Sequence, residues 1–308
     1  MQLTLTSENR LDLNHTLTSG QTFRWERIGE WWYGVVGRNV LKLKQNNSKL
    51  VFESYPEEVD KELIRSYFRL DDNLSSIIRK IRKDNVISEA ISSFDGLRII
   101  RQNLWECLVS YVCATNSNIK VITQMISNLC RKFGKRIVFE EREFYLFPES
   151  KALARATLSD LTDCRLGYRA PHLRHTAQQI ENGSVNLHEI MRLEYEEARR
   201  KLVGRSPGGK TLLGIGPKAA DCILLFSMEK LDSFPIDVWI KRLILEKYRH
   251  LFEDKFLHRL ASTKSLGGGV YVATADRMGS YFGRYAGYAQ EYLYSYARTR
   301  LAKATYSM

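Results

Sequence analysis

A lysine and an aspartate nineteen residues apart carry the most chemistry in this 308-residue chain. Lys218 follows the glycine-bracketed run Leu212-Leu213-Gly214-Ile215-Gly216 and opens an apolar segment, 219–226. Gly214 and Gly216 permit a tight turn and leave backbone N–H groups free to face a phosphate. The start of a helix disfavours an ammonium, so this placement predicts a lowered pKa for Lys218. A neutral amine is a nucleophile and an ammonium is not. Asp237, just past Pro235, supplies the carboxylate such a lysine needs. It also precedes the apolar Val238-Trp239-Ile240, the position of a helix N-cap. On residue types alone Lys218 is either a nucleophile or a lysine that contacts a phosphate.

The rest of the composition narrows the partner. The formal net charge is +12, from 47 Lys+Arg against 35 Asp+Glu. That favours a polyanion, nucleic acid first and an acidic membrane second. Apolar residues make up 44% of the chain, which indicates a globular protein long enough for two domains. No run of 18 apolar residues exists to span a membrane. The N-terminal residues lack the basic-then-apolar layout of a signal peptide. The five cysteines (Cys107, Cys113, Cys130, Cys164, Cys222) are widely spaced and form no C-x-x-C pair. Neither a zinc site nor an iron–sulfur cluster is expected, and no cofactor or metal is implied. Free thiols in a reducing cytosol are the simplest account of all but Cys222.

The elements that must position these residues change character along the chain. Residues 23–55 hold short β-rich runs broken at Gly29, Gly37 and Asn46-Asn47-Ser48. The alternation Val40-Leu41-Lys42-Leu43-Lys44 suits a half-buried strand. Helical spacing begins near Asp60 and dominates from Leu97 onward, as in Trp105, Leu108, Val109 and Val112. The expected fold class is α+β. An N-terminal antiparallel β-sheet domain with flanking helices (1–95) precedes an all-α domain (96–308), whose hairpin lies at 212–228. Two glycine-rich stretches interrupt the helical part, 204–211 and 266–276. The first, "GRSPGGKT", matches the phosphate-loop pattern of NTPases, but it follows a charged helical segment instead of a buried strand. A basic surface loop that touches DNA phosphates through Arg205 and Lys210 is the favoured reading.

Six blocks together resemble the 8-oxoguanine DNA glycosylases of the helix-hairpin-helix superfamily. They are "LTSGQTFRW" (17–25), "WECLVSYVCATNSNI" (105–119), "LGYRAPHL" (166–173), "LLGIGPKAADCILLF" (212–226), "FPIDVWI" (234–240) and "YFGRYAGYAQEYLYS" (281–295). They stand in the family's order and sample nearly the whole chain. The hairpin alone signals DNA binding. Lysine and aspartate beside it signal a bifunctional glycosylase and lyase, and "SGQTFRW" with "YAGYAQ" points to the 8-oxoguanine branch.

The resemblance implies a role for each matching residue. Lys218 is the nucleophile at the sugar C1′, and Asp237 orients it and stabilises positive charge on the sugar. The damaged base is flipped out of the duplex into a pocket. There the Gly20 carbonyl accepts from the N7–H that only the oxidised purine carries, and Gln290 bonds the Watson–Crick edge. Cys222 and Tyr294 sandwich the base. Lys218, Cys222 and Phe226, at i, i+4 and i+8, share one helix face. Asn116 fills the hole left by the flipped base. Tyr168 and Arg169 are wedge and reader on the opposite strand. Gly214, Gly216 and Trp239 face the DNA backbone.

The chain also departs from the family pattern. Val121 stands where eukaryotic members carry an arginine that reads the opposite cytosine, and Ser117 interrupts their asparagine run. Trp239 replaces a histidine that helps hold the 5′ phosphate, and Leu213 replaces a hairpin proline. These changes bear on opposite-base selectivity and DNA affinity. The reaction expected is excision of 8-oxoguanine from duplex DNA with β-elimination, by a monomer in the cytoplasm of a prokaryote or the nucleus of a eukaryote. The competing readings are a glycosylase for another damaged base, a non-catalytic DNA-binding protein and a P-loop NTPase.

Overall fold

The computed structural model describes residues 1–203, 212–263 and 266–305. The stretch 204–211, with its phosphate-loop pattern, lies outside the described residues.

Five N-terminal strands form one antiparallel sheet in the order β1 (Gln2–Thr4), β5 (Lys49–Tyr55), β4 (Asn39–Asn46), β3 (Trp31–Val36), β2 (Trp25–Ile28). The turns between β2 and β5 fall at Gly29, Gly37 and Asn47, where the sequence breaks its β runs. Period-two alternation sorts the faces of β4. Leu41 and Leu43 join Leu50, Phe52, Ile64 and Phe68 in a small core on one face. Val40 turns to the other face, with Val35 and Ile137. Flanking helices Leu13–Thr18 and Lys61–Tyr67 begin at Asp12 and Asp60, whose side chains accept from His15 N and Leu63 N. Such caps satisfy N–H groups that a helix leaves orphaned.

The main core takes in Phe23 and then runs from Leu74 to Ala297. It takes in Leu74, Ile77, Ile78 and Ile81 of helix Leu74–Ile81, and Ile87, Ala90 and Ile91 of helix Asn85–Ser93. These two helices, which lie within the N-terminal part (1–95) expected from sequence, thus share the main core with the helical part. The change of periodicity near Asp60 marks where helices begin, but not which core their apolar faces join.

The helical part also carries a two-stranded hairpin that was not expected, β6 (Arg136–Phe139) and β7 (Arg142–Tyr145). It turns at Glu140-Glu141, both at positive φ, and packs on the outer face of the sheet. Phe139 stacks on Tyr55 at 5.5 Å and Phe144 on Tyr33 at 6.0 Å. Glu140 accepts from the Tyr33 hydroxyl at 2.7 Å and pairs with Lys42. Two buried arginines tie sheet and helices together. Arg98 donates to the carbonyls of Arg10 and Asp72, and Arg69 forks onto Glu229 at 2.7 and 2.9 Å. Glu229 lies just past the end of the Lys218 helix.

Candidate active site

The hairpin is built as the glycine pattern requires. Gly214 takes φ +80°, and a Cβ there would come within 3.2 Å of the His172 side chain. The turn is fastened from behind. Thr115 Oγ1 donates to the Gly214 carbonyl at 3.2 Å and Thr176 Oγ1 to the Leu213 carbonyl at 3.3 Å. Helix Pro217–Ser227 follows with Gly216 at its N-cap and Pro217 in its first turn. No side chain caps that helix, so its first N–H groups remain available.

Lys218 projects from the first turn with its Nζ 5.2 Å from the centroid of the Tyr111 ring. Tyr111 in turn stacks on Phe226 at 5.8 Å and 10°. Cys222 and Phe226 are buried on the same helix. Asp237 caps helix Val238–Lys247, accepting Ile240 N–H through Oδ1 at 2.8 Å. It holds the N-cap expected of it while its charge acts on Lys218.

The electrostatics correct one expectation. Lys218 is raised, not lowered. Burial pulls it down, but its contact with the Cys222 side chain and the charge of Asp237 outweigh burial. Burial lifts the Cys222 thiol to about 12, so it is neutral at pH 7. Asp237 is raised, chiefly by burial, although bonds from Ile240 and the charge of Lys218 pull it down. Lysine and aspartate each favour the other's charged form. The helix dipole alone was the wrong guide, because it omitted the acids that face the amine.

A further buried acid near this pair is a residue the sequence reading passed over. Glu291 is 3% exposed and its Oε1 has no partner. Burial raises its carboxyl to about 7, against the Ser19 hydroxyl and Arg298. Lys218, Asp237, Cys222, Tyr111 and Tyr294 all lie within its Coulombic reach. The signal was legible, since Glu291 is an acid directly after Gln290 in an otherwise aromatic and apolar segment.

Beside this cluster lies a set of buried polar side chains. Gln290 and Ser295, both buried, leave Oε1 and Oγ without partners. With Glu291 they form one stripe of helix Ala286–Thr305. Tyr294 shares it, and Arg298 stacks 5.3 Å over the Tyr294 ring. Arg298 donates to the carbonyls of Ser19 at 3.1 Å and Thr18 at 2.7 Å, fixing the chain on the approach to Gly20. Gly20 takes φ +99°. A Cβ on it would sit 2.9 Å from Ile119 Cδ1 and 3.1 Å from Arg298 Nη1. Gln21 anchors the far side, donating to the Arg98 carbonyl at 2.8 Å and accepting Ile100 N–H at 2.7 Å. Gln102 joins this loop to the lysine helix through the carbonyls of Gln21 and Phe226. Lys218, Asp237, Cys222, Phe226, Gln290, Tyr294 and Gly20 thus belong to one neighbourhood.

The residues expected at the opposite strand form a second cluster. Asn116 is exposed at φ +49°. Its Nδ2 lies 3.5 Å from the hydroxyl of Tyr168, which is 52% exposed. Arg169 does not stand free as a reader. It is buried, with Nε donating to the Thr115 carbonyl at 3.1 Å and Nη2 to the Asn116 carbonyl at 3.3 Å. Those carbonyls follow the end of helix Leu104–Cys113, where acceptors lack intrahelical partners and attract cations. Arg169 braces the Asn116 turn. Val121 is 44% exposed on the same face, and Trp239 is half-buried under Arg242 at 5.1 Å.

Among the described residues no group of three or more His, Cys, Asp or Glu is placed to hold a metal ion. No helix there is long and apolar enough to cross a membrane.

Comparison with known proteins agrees with this architecture along the chain. A family model for the N-terminal domain of 8-oxoguanine DNA glycosylase matches residues 3–108. The model of the HhH-GPD superfamily of base excision DNA repair proteins matches residues 109–254. The chain is 28% identical over 303 residues to N-glycosylase/DNA lyase OGG1 of Arabidopsis thaliana, covering 94% of this chain and 78% of that protein. It is 29% identical over 272 residues to the N-glycosylase/DNA lyase of Saccharomyces cerevisiae, covering 79% and 70%. Among solved structures, it is similar to the 8-oxoguanine glycosylase/lyase of Clostridium acetobutylicum in complex with double-stranded DNA containing cytosine opposite 8-oxoguanine. That match has a TM-score of 0.81 and 28% identity over 96% of this chain and 93% of the other. The chain belongs to the 8-oxoguanine DNA glycosylase/lyases of the HhH-GPD superfamily.

Proposed function

We propose that this protein excises 8-oxoguanine from duplex DNA and then cleaves the abasic strand, with Lys218 serving both steps. The observation that carries the reading is one lysine on a glycine hairpin, facing Asp237, beside a pocket wall of unpartnered buried acceptors. The Lys218 proton first passes to a carboxylate, and Asp237 and Glu291 are the two in reach. The amine then attacks C1′, and the glycosidic bonding pair leaves with the base. Asp237 opposes the positive charge that develops on the sugar. Loss of the second amine proton and opening of the sugar ring give a Schiff base. Removal of a C2′ proton then expels the 3′ phosphate.

Gln290 and the Gly20 carbonyl read the flipped base, between Cys222 and Tyr294. Asn116 and Tyr168 enter the duplex where the base leaves. Backbone N–H groups at Gly214–Gly216 and the helix start hold a phosphate, flanked by Trp239. The protein acts as a monomer.

Incubation with an 8-oxoguanine duplex and borohydride tests this. A covalent protein–DNA adduct is expected, lost in Lys218→Gln together with base release. An adduct persisting in that variant means another nucleophile. A panel of other lesions excised faster than 8-oxoguanine overturns the substrate.

A further inference from the structure

The glycine-rich stretch 266–276, which the family resemblance leaves without a counterpart, reaches the catalytic pair. Its helix Gly268–Phe282 buries Tyr271 completely. The Tyr271 hydroxyl donates to Asp221 Oδ2 at 2.7 Å and accepts Ile236 N–H at 3.2 Å. Asp221 is fully buried, three residues beyond Lys218 on the same helix. Ile236 immediately precedes Asp237. One hydroxyl therefore bridges the helix that carries the lysine and the segment that carries the aspartate.

The rest of the network holds that bridge in place. The other Asp221 oxygen accepts the Tyr195 hydroxyl at 2.9 Å. Ser233 Oγ donates to the Asp221 carbonyl at 2.9 Å, from the loop leading to Asp237. Arg199 supplies countercharge, with Nη1 3.9 Å from Asp221 Oδ2 and Nη2 3.0 Å from Asp276. Asp276 closes the same glycine-rich stretch. Both Asp221 oxygens and the Tyr271 hydroxyl are satisfied, which makes such a network rigid and specific in geometry. Apolar residues would fill the same volume without the cost of desolvating a carboxylate, so packing alone does not account for the network.

We propose that Tyr271 and Asp221 form a positioning clamp that sets the separation of Lys218 and Asp237 for the chemical step. The clamp rests on the catalytic reading of that pair. Neither residue touches DNA; each acts through the aspartate segment.

The test is a double-mutant cycle. Tyr271→Phe keeps the ring and removes the hydroxyl. Misplacement on the ångström scale costs up to about a hundredfold in rate, so a loss of about tenfold in single-turnover excision is expected. Affinity for a duplex with a tetrahydrofuran abasic analogue should stay within about twofold, because the phosphate contacts remain. In an Asp237→Asn background the same substitution should change the rate by less than about twofold, since its route of action is gone. A purely structural lesion would cost the same in both backgrounds. Equal losses, or a wild-type rate in Tyr271→Phe, overturn the clamp. Should Tyr271→Phe fail to fold, Asp221→Asn enters the same cycle. A wild-type rate in Asp237→Asn alone overturns the catalytic reading of Asp237, an outcome visible without either clamp variant.

Discussion

Replacing Glu291 by glutamine should make the stability of the protein less sensitive to pH, and the size of the effect follows from the burial of this side chain. Its carboxyl is lifted from an ordinary 4.5 to about 7, chiefly by burial. The fold therefore prefers the protonated acid. That contribution is fully present below about pH 4.5 and is lost as pH rises through about 7. Between pH 5 and pH 8 the difference in proton binding between folded and unfolded chains integrates to about 2–3 kcal/mol. Glutamine matches the neutral acid in shape and never ionises, so it loses none of this. The stability of Glu291→Gln relative to wild type should rise by about 2–3 kcal/mol from pH 5 to pH 8. Urea unfolding of both proteins at the two pH values measures it. Asp221, which burial raises to about 6, titrates in both proteins and cancels from the difference. A difference that stays flat, or falls with pH, refutes the reasoning. The substitution also removes one of two carboxyls able to take the Lys218 proton. The increase of single-turnover excision with pH near 7 should flatten accordingly.

Asp237→Asn should keep the helix cap, because asparagine caps as well as aspartate. Excision should nevertheless fall by about a hundredfold at saturating enzyme, and a loss seen only in DNA affinity would make Asp237 structural. Arg169→Lys should cost about 1–2 kcal/mol in unfolding free energy and weaken lesion binding, because lysine lacks the fork that spans the Thr115 and Asn116 carbonyls. Unchanged stability and unchanged affinity would contradict the bracing role. Val121 offers no donor to the opposite base, and an arginine fork is worth roughly 1–3 kcal/mol of discrimination. Excision opposite the four bases should therefore differ little, and strong preference for cytosine would assign the reading to Asn116 or another residue.

What the sequence revealed was local, and what it concealed was long-range. The hairpin, the lysine and the aspartate cap were legible because glycine, proline and capping residues act on their immediate neighbours. Four strands of the antiparallel sheet were legible through its turns at Gly29, Gly37 and Asn47, while β1 (Gln2–Thr4) was not. The segment holding Leu74–Ile81 and Asn85–Ser93 was read as helical, but the core these helices share was not visible. An amphipathic face shows that it must be buried, not against what. The β6–β7 hairpin was missed because its apolar residues are satisfied by Tyr33 and Tyr55, about a hundred residues earlier. Arg169 was read as exposed because a sequence does not show which carbonyls lie over it. Lys218 was assigned a lowered pKa because its own helix was visible and its packing against Cys222 and Asp237 was not.

That last point bears on how the site works. An amine held as ammonium beside buried acids is inert until its proton is moved. The wall opposite it carries three unpartnered polar atoms, on Gln290, Glu291 and Ser295. Each unpartnered buried group costs about 1–3 kcal/mol while it waits. A flipped base that supplies hydrogen-bonding groups removes part of that cost, so base entry and pocket satisfaction are coupled. Guanine and 8-oxoguanine share the donor-bearing Watson–Crick edge, so this wall attracts both and distinguishes neither. Discrimination has to come from the N7 side, where guanine presents an acceptor and the oxidised base a donor. The proposed function assigns that side to Gly20. Its φ of +99° disfavours any side chain, and a Cβ there would press on Ile119 and Arg298. Arg298 pins the two carbonyls before it. A carbonyl fixed in that way attracts an N7–H and repels a bare N7 lone pair. Under the proposed function, affinity for any flipped purine and selectivity for the damaged one therefore reside in different groups, the Gln290 side chain and the Gly20 carbonyl.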